Sequence, residues 1–214
     1  NLFRPIAHLV EHRTDNARVN GSKPFGPTKD KGNNSMRKPL MQDGQPSIYR
    51  QGRSLYFFDE INNYTVAEAL RLLQTMVCEA PKKPVQIILN TPGGSVYDGL
   101  AFYDYLRYLS CPLMIIGTGL VASMGVIIIL AGDKRCVTKN TRLMSHQIST
   151  QVQGKVSDVK IDYDETKELE KICDGIIAER TGQSLKVIQF ELKKGDKYFG
   201  AEEALKRGYI QKII

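Results

Sequence analysis

Two side chains in this 214-residue chain have the type and setting for nucleophilic catalysis, Ser123 and His146. Ser123 lies in "GLVASMG", where Ala122 and Gly125 would leave its hydroxyl accessible. A helix beginning at that serine would present free backbone N–H groups and positive dipole potential. Such donors stabilise the oxyanion formed when a serine attacks a carbonyl. A serine needs a base, and beyond the N-terminal region His146 in "MSHQ" is the only histidine. At the end of a strand its imidazole could face the hydroxyl. The same two residues also fit a helix-capping serine and a core histidine, and spacing does not separate the readings. A carboxylate would be needed to orient the imidazole. Twelve Asp and Glu residues follow His146, and spacing does not choose among them.

The elements that must hold these residues follow from the apolar pattern. Residues 113 to 132 form a run of twenty without a charge, long enough to cross a bilayer. Six glycine, serine and threonine residues interrupt it, and neither aromatic belt nor basic cluster flanks it. It divides into a strand "LMIIGTG", a glycine turn and a helix starting near Ser123, all buried core. Upstream, "SLYFF" reads as a strand and "TVAEALRLLQTMVCEA" as a helix with Thr65 as candidate N-cap. "PVQIILN" reads as a buried strand, "VYDGLAFYDYLRYL" as a helix and "TRLMSHQI" as another strand. "SDVKIDYDETKELEKICDGIIAERTG" is a long helix closed by Gly182. Its stripe of Val159, Tyr163, Thr166, Leu169, Cys173 and Ile176 suits either packing on its own core or an oligomer contact. Repeated strand–helix units with β-branched strands predict an α/β domain with helices on parallel strands.

Composition narrows the function classes. A mean hydropathy of −0.29 argues against a polytopic membrane protein. The net charge is +7, but residues 1–52 hold nine Lys and Arg against four Asp and Glu. The remainder is nearly neutral, so a basic nucleic-acid-binding face on the domain is not expected. Residues 1–48 read as a flexible basic extension, or as translated sequence outside the native protein, with Met36 and Met41 as plausible starts. The domain is expected at 49–214. Within the extension, "HLVEH" places His8, Glu11 and His12 in an inverted zincin pattern. With no third ligand nearby and little sign of a fold, no metal site is expected there. Cys78, Cys111, Cys136 and Cys173 form no C-x-x-C pair, which fits reduced thiols in a cytoplasmic or organelle stroma or matrix setting.

From about residue 53 onward the chain resembles the Clp protease proteolytic subunit family of serine peptidases. The resemblance rests on "NTPGGSVYDGLAFYD", "GLVASMG", "RLMSHQ", "QGKVSD", "RTGQS" and "GDKYFGAEEALKRGYI", in family order. It implies the spiral of repeated β-β-α units shared with crotonases, with a projecting handle helix at about 157–180. Position by position, it implies Ser123 as nucleophile, His146 as general base and Asp196 as orienting acid. Gly94 and Met124 match the oxyanion-hole N–H donors. Two stacked seven-membered rings are implied, fed with unfolded chains by a Clp AAA+ ATPase, which alone uses ATP; the subunit itself needs no cofactor. The positions that dock the ATPase correspond to Gln86, Ile88 and Tyr108. The chain departs from the family's usual pattern at Gly195, Ile148, Thr150 and Gln151. Those departures keep a catalytically silent subunit of a mixed ring as an alternative, and a crotonase-type acyl-CoA enzyme is a further one.

Overall fold

A computed structural model describes residues 46–151 and 153–214 of the chain. The order of elements is β1 (Ile48–Gln51), β2 (Ser54–Phe57), α1 (Asn63–Glu79), β3 (Val85–Thr91), α2 (Val96–Tyr108), β4 (Leu113–Ala122) and α3 (Met124–Leu130). It continues with β5 (Lys134–Val137), β6 (Arg142–Ser145), α4 (Val156–Thr181), α5 (Leu185–Leu192), β7 (Lys197–Gly200), α6 (Ala201–Lys206) and β8 (Lys212–Ile213). The fold is mixed α/β, with eight strands and six helices among the described residues.

β1 and β2 form an antiparallel hairpin, and β2, β3, β4, β5 and β8 follow in parallel. In β3 the alternation is plain: Val85, Ile87, Leu89 and Thr91 are buried, while Gln86, Ile88 and Asn90 are only half-buried on the other face. Period-two burial of this kind sends one set of side chains under the helices. There Phe57 stacks on Phe102 of α2 at 5.5 Å. The hairpin begins at Ile48, inside the segment expected to be extension, because Ile48 pairs with Phe57 and is itself buried.

The uncharged run is core, as its composition suggests, but the strand is longer than expected. β4 passes through Gly117 and Gly119 to Ala122, because it changes partner there instead of turning. Met114–Gly117 pair with β5, and Leu120–Ala122 pair with β6. All seven residues of α3 are buried. Burying each of its three isoleucines contributes roughly 1.5–3 kcal/mol. Among the described residues no helix is long and apolar enough to cross a membrane.

α1 is capped by Asn62 rather than Thr65. The Asn62 side chain accepts from Tyr64 N and Thr65 N, and Thr65 Oγ1 accepts from Asn62 N, a reciprocal capping box. The long helix α4 ends at Gly182, but only Leu169, Cys173 and Ile177 are buried along it. Its first turns carry exposed Val156, Val159, Ile161 and Tyr163, so this part leaves the core of its own subunit.

Candidate active site

Ser123 stands at the junction of β4 and α3. It is the residue preceding the first helical turn, yet its hydroxyl makes no capping hydrogen bond. Its backbone adopts φ 54° and ψ −121°, the sole positive φ of a non-glycine residue among those described. A side chain in that region costs on the order of 1–3 kcal/mol and persists only where its surroundings enforce it. Here the enforcement is a hydrogen bond from Ser123 N to the Met144 carbonyl, at 2.7 Å. That bond extends the parallel pairing of Ala122 with Met144, which brings β6 alongside the serine.

Two residues beyond Met144, the half-buried His146 places Nε2 2.8 Å from Ser123 Oγ. The serine makes no capping hydrogen bond, and the imidazole meets its hydroxyl. In this contact Nε2 can accept the hydroxyl proton if the other ring nitrogen carries the hydrogen.

The loop carrying Gly94 is pinned across from the serine. Ile61 N donates to Gly93 O at 2.7 Å, and Ser95 N donates to Ile61 O at 2.8 Å. This parallel bridge uses the groups on either side of Gly94, so the Gly94 N–H is turned away from Ile61. Gly93 and Gly94 have φ of 98° and 145°. A Cβ on Gly94 would collide with the Ile61 carbonyl, and one on Gly93 would sit 2.6 Å from Ser123 Cβ. Only glycine permits this approach. Met124 N opens α3 and so belongs to the first-turn amides without an intrahelical acceptor. Gly94, Ser123, Met124 and His146 line one cleft of about 700 Å³.

The cleft is also lined from α4 and α5, by Tyr163, Lys167, Glu170, Cys173, Asp174 and Gln189. Burial pushes the Cys173 thiol up to about 11. Burial also raises the Asp174 carboxyl above its ordinary range, with the neighbouring Glu170 adding to the shift. Among the described residues no cluster of His, Cys, Asp and Glu could hold a metal. The motif of His8, Glu11 and His12 lies outside the described residues.

Asp196 is placed by a long-range pairing. β6 runs antiparallel to β7, and the ladder ends at Ser145 opposite Lys197, so His146 leaves β6 just where Asp196 leads into β7. Among the described residues, however, no hydrogen bond joins the two, and Asp196 is exposed. Gly195 before it has open space around it. Ile148, the residue two beyond the histidine, lines the cleft and packs on the core, while Thr150 and Gln151 are exposed.

Of the three other sequence-derived positions, Ile88 and Gln86 share the face of β3 turned away from the helices, and Gln86 accepts from Ser54 Oγ at 3.2 Å. Tyr108 is 81% exposed at the end of α2, a helix packed against the other face. Sequence reasoning missed the residues that complete the outer face. Ile88 lies opposite Tyr56, and Tyr56 lies opposite Tyr49, with the two rings stacked at 4.6 Å. The signal was present in "SLYFF", where buried Leu55 and Phe57 leave Tyr56 on the other side of the strand.

With this geometry in place, a family model described as Clp protease matches residues 43–214.

Proposed function

The chain belongs to the Clp protease family, and from that premise we propose that it is a serine endopeptidase subunit cutting unfolded polypeptides. The observation that carries this reading is the 2.8 Å contact between Ser123 Oγ and His146 Nε2, at a strained serine facing a large cleft. His146 takes the hydroxyl proton as Ser123 attacks the peptide carbonyl. The amides of Gly94 and Met124 stabilise the oxyanion, His146 returns the proton to the leaving amine, and water then releases the acyl-enzyme. Asp196 orients His146. The subunit works in stacked heptameric rings, and the unpartnered apolar start of α4 supports an intersubunit role for that helix. A Clp AAA+ ATPase supplies chains and consumes the ATP. Its docking face is the sheet surface of Tyr49, Tyr56, Gln86 and Ile88.

One observation favours a second reading, a ring subunit that is silent by itself. Asp196 is exposed and unbonded to His146, so the third member is not closed on the pair. Labelling with a fluorescent fluorophosphonate separates the two. The proposed peptidase labels as wild type and not as Ser123→Ala. Absence of labelling in the purified protein, restored by no candidate partner subunit, overturns it.

A further inference from the structure

At the end of β6, next to His146, lies a second, much smaller cavity of about 10 Å³, lined by Ser145, Glu191, Lys197, Arg207 and Tyr209 among others. Two buried polar atoms of these residues, Ser145 Oγ and Arg207 Nε, have no hydrogen-bond partner among the described residues. Leaving a buried donor or acceptor unmade is costly, so such groups are nearly always satisfied. The Tyr209 phenol faces Ser145, without a hydrogen bond of normal geometry between them. The cavity volume is about that of one water centre, and a buried water needs two to four polar partners.

We propose that a single structural water occupies this cavity and bridges Arg207 Nε to Ser145 Oγ, which makes Arg207 and Ser145 positioning residues for His146. The water accepts from Arg207 Nε and donates to Ser145 Oγ. Glu191 and Tyr209, on the same walls, supply its remaining partners.

The surrounding charges explain why this matters for the proposed active site, on whose reading the positioning role rests. Arg207 binds Glu191 and Gln183 through Nη2 and Glu203 through Nη1, while Lys197 reaches Glu191 at 3.2 Å and Glu203 at 3.3 Å. The Arg207 guanidinium also lies over the rings of Phe199 and Tyr209. Lys197 is the ladder partner of Ser145, and one step further along stand His146 and Asp196. The four charged side chains thus form a box below the last ladder pair. The water ties the β6 side of that pair into the box, which fixes the strand end that carries the imidazole.

Two experiments on the full chain test this. A high-resolution crystal structure should place a solvent peak within hydrogen-bond distance of both Ser145 Oγ and Arg207 Nε. An empty cavity, or a direct bond from Ser145 to Tyr209, overturns the proposal. The second is a double-mutant cycle of Ser145→Ala and Arg207→Lys, the latter retaining the positive charge. Ser145→Ala should lower the maximal rate of fluorophosphonate inactivation about fivefold, the worth of one net hydrogen bond, and Arg207→Lys, which also gives up guanidinium contacts with Glu191, Gln183 and Glu203, at least as much. The half-saturating probe concentration and the final labelled fraction should not change, a split that simple loss of folded protein would not give. The double variant should be no slower than the slower single one, because both break the same bridge. Multiplying rate effects overturn the coupling. If the wild type does not label, the peptidase reading fails, while the solvent peak and the same cycle in denaturation midpoints still decide the water.

Discussion

A methyl group at Gly93 is the sharpest probe of the oxyanion loop. A Cβ there would lie 2.6 Å from Ser123 Cβ, 2.8 Å from the Ala122 carbonyl oxygen and 3.2 Å from Met124 N. The first two contacts are too close to persist, and one of them is to backbone. The φ of 98° adds strain of about 1–3 kcal/mol for any side chain. The loop cannot retreat, because Gly93 O is held by Ile61 N at 2.7 Å. Displacement therefore falls on Ser123 or on the Gly94 amide. A misplacement of ~1 Å costs about 10²-fold in rate, and loss of one oxyanion donor about 10²–10³-fold. Gly93→Ala should lower the second-order rate of Ser123 labelling by about 10²–10³-fold. Its fold should persist, since the strain is smaller than a typical stability of about 5–15 kcal/mol. Gly52→Ala is the control, with a φ of 59° but nothing within 4 Å, so it carries backbone strain far from the serine. Rates of labelling followed by in-gel fluorescence, with circular dichroism for folding, provide the comparison. A folded Gly93→Ala protein that labels within about threefold of wild type would refute the assignment of this loop.

Single features of the fold carry further expectations. Asn62→Ala removes the acceptor for two first-turn amides of α1 and should destabilise the domain by about 1 kcal/mol, read as a lower denaturation midpoint. Native protein treated with maleimide near neutral pH should modify Cys78 first, because Cys78 is exposed and Cys111, Cys136 and Cys173 are buried. Mass spectrometry that finds Cys173 modified as fast as Cys78 would contradict its raised pKa and burial. The Asp174 carboxyl is raised in the fold, so the folded state holds that proton more tightly than the unfolded chain. Its contribution is present below the ordinary carboxylate value and is lost as pH rises through the folded value. Asp174→Asn should therefore stabilise the protein at neutral pH relative to wild type, and this advantage should shrink in acid. Equal stability gains at both pH values would count against the assignment.

Much of this arrangement is legible in the sequence because it is local. The apolar run, the small residues around Ser123 and the lone histidine of the domain all lie within a few residues of the elements they define. What escaped notice depends on pairing at a distance. β5 has four residues and reads like a loop until its neighbours β4 and β8 are known. The capping role of Asn62 was hidden because Thr65, itself a good capping residue, answers it from inside the helix. Asp196 could not be chosen among twelve acids by spacing, since the ladder of β6 with β7 that ends next to it joins segments some fifty residues apart. Ser145 and Arg207 share that origin: neither looks unusual until the fold buries both around one cavity.

The missing hydrogen bond between Asp196 and His146 among the described residues supplies the last prediction. The two flank the last ladder pair of β6 and β7, Ser145 and Lys197, but within one subunit nothing among the described residues brings the exposed carboxylate onto the ring. Gly195, with free space around it and a φ of 114°, leaves the backbone before Asp196 room to turn. A ring assembly that orders this segment would close the carboxylate on the imidazole, and a dissociated subunit would not. Asp196→Asn should then slow labelling of Ser123 by at least about 10²-fold in the assembled protein, where tautomer and orientation depend on the acid. In subunits dissociated by dilution or mild salt, the same substitution should change the already slow labelling by less than about threefold, because no hydrogen bond is lost. Size-exclusion chromatography run beside each labelling reaction identifies which state is measured. An equal effect of Asp196→Asn in both states would mean that the carboxylate acts within a single subunit, and that assembly plays no part in closing it on the imidazole.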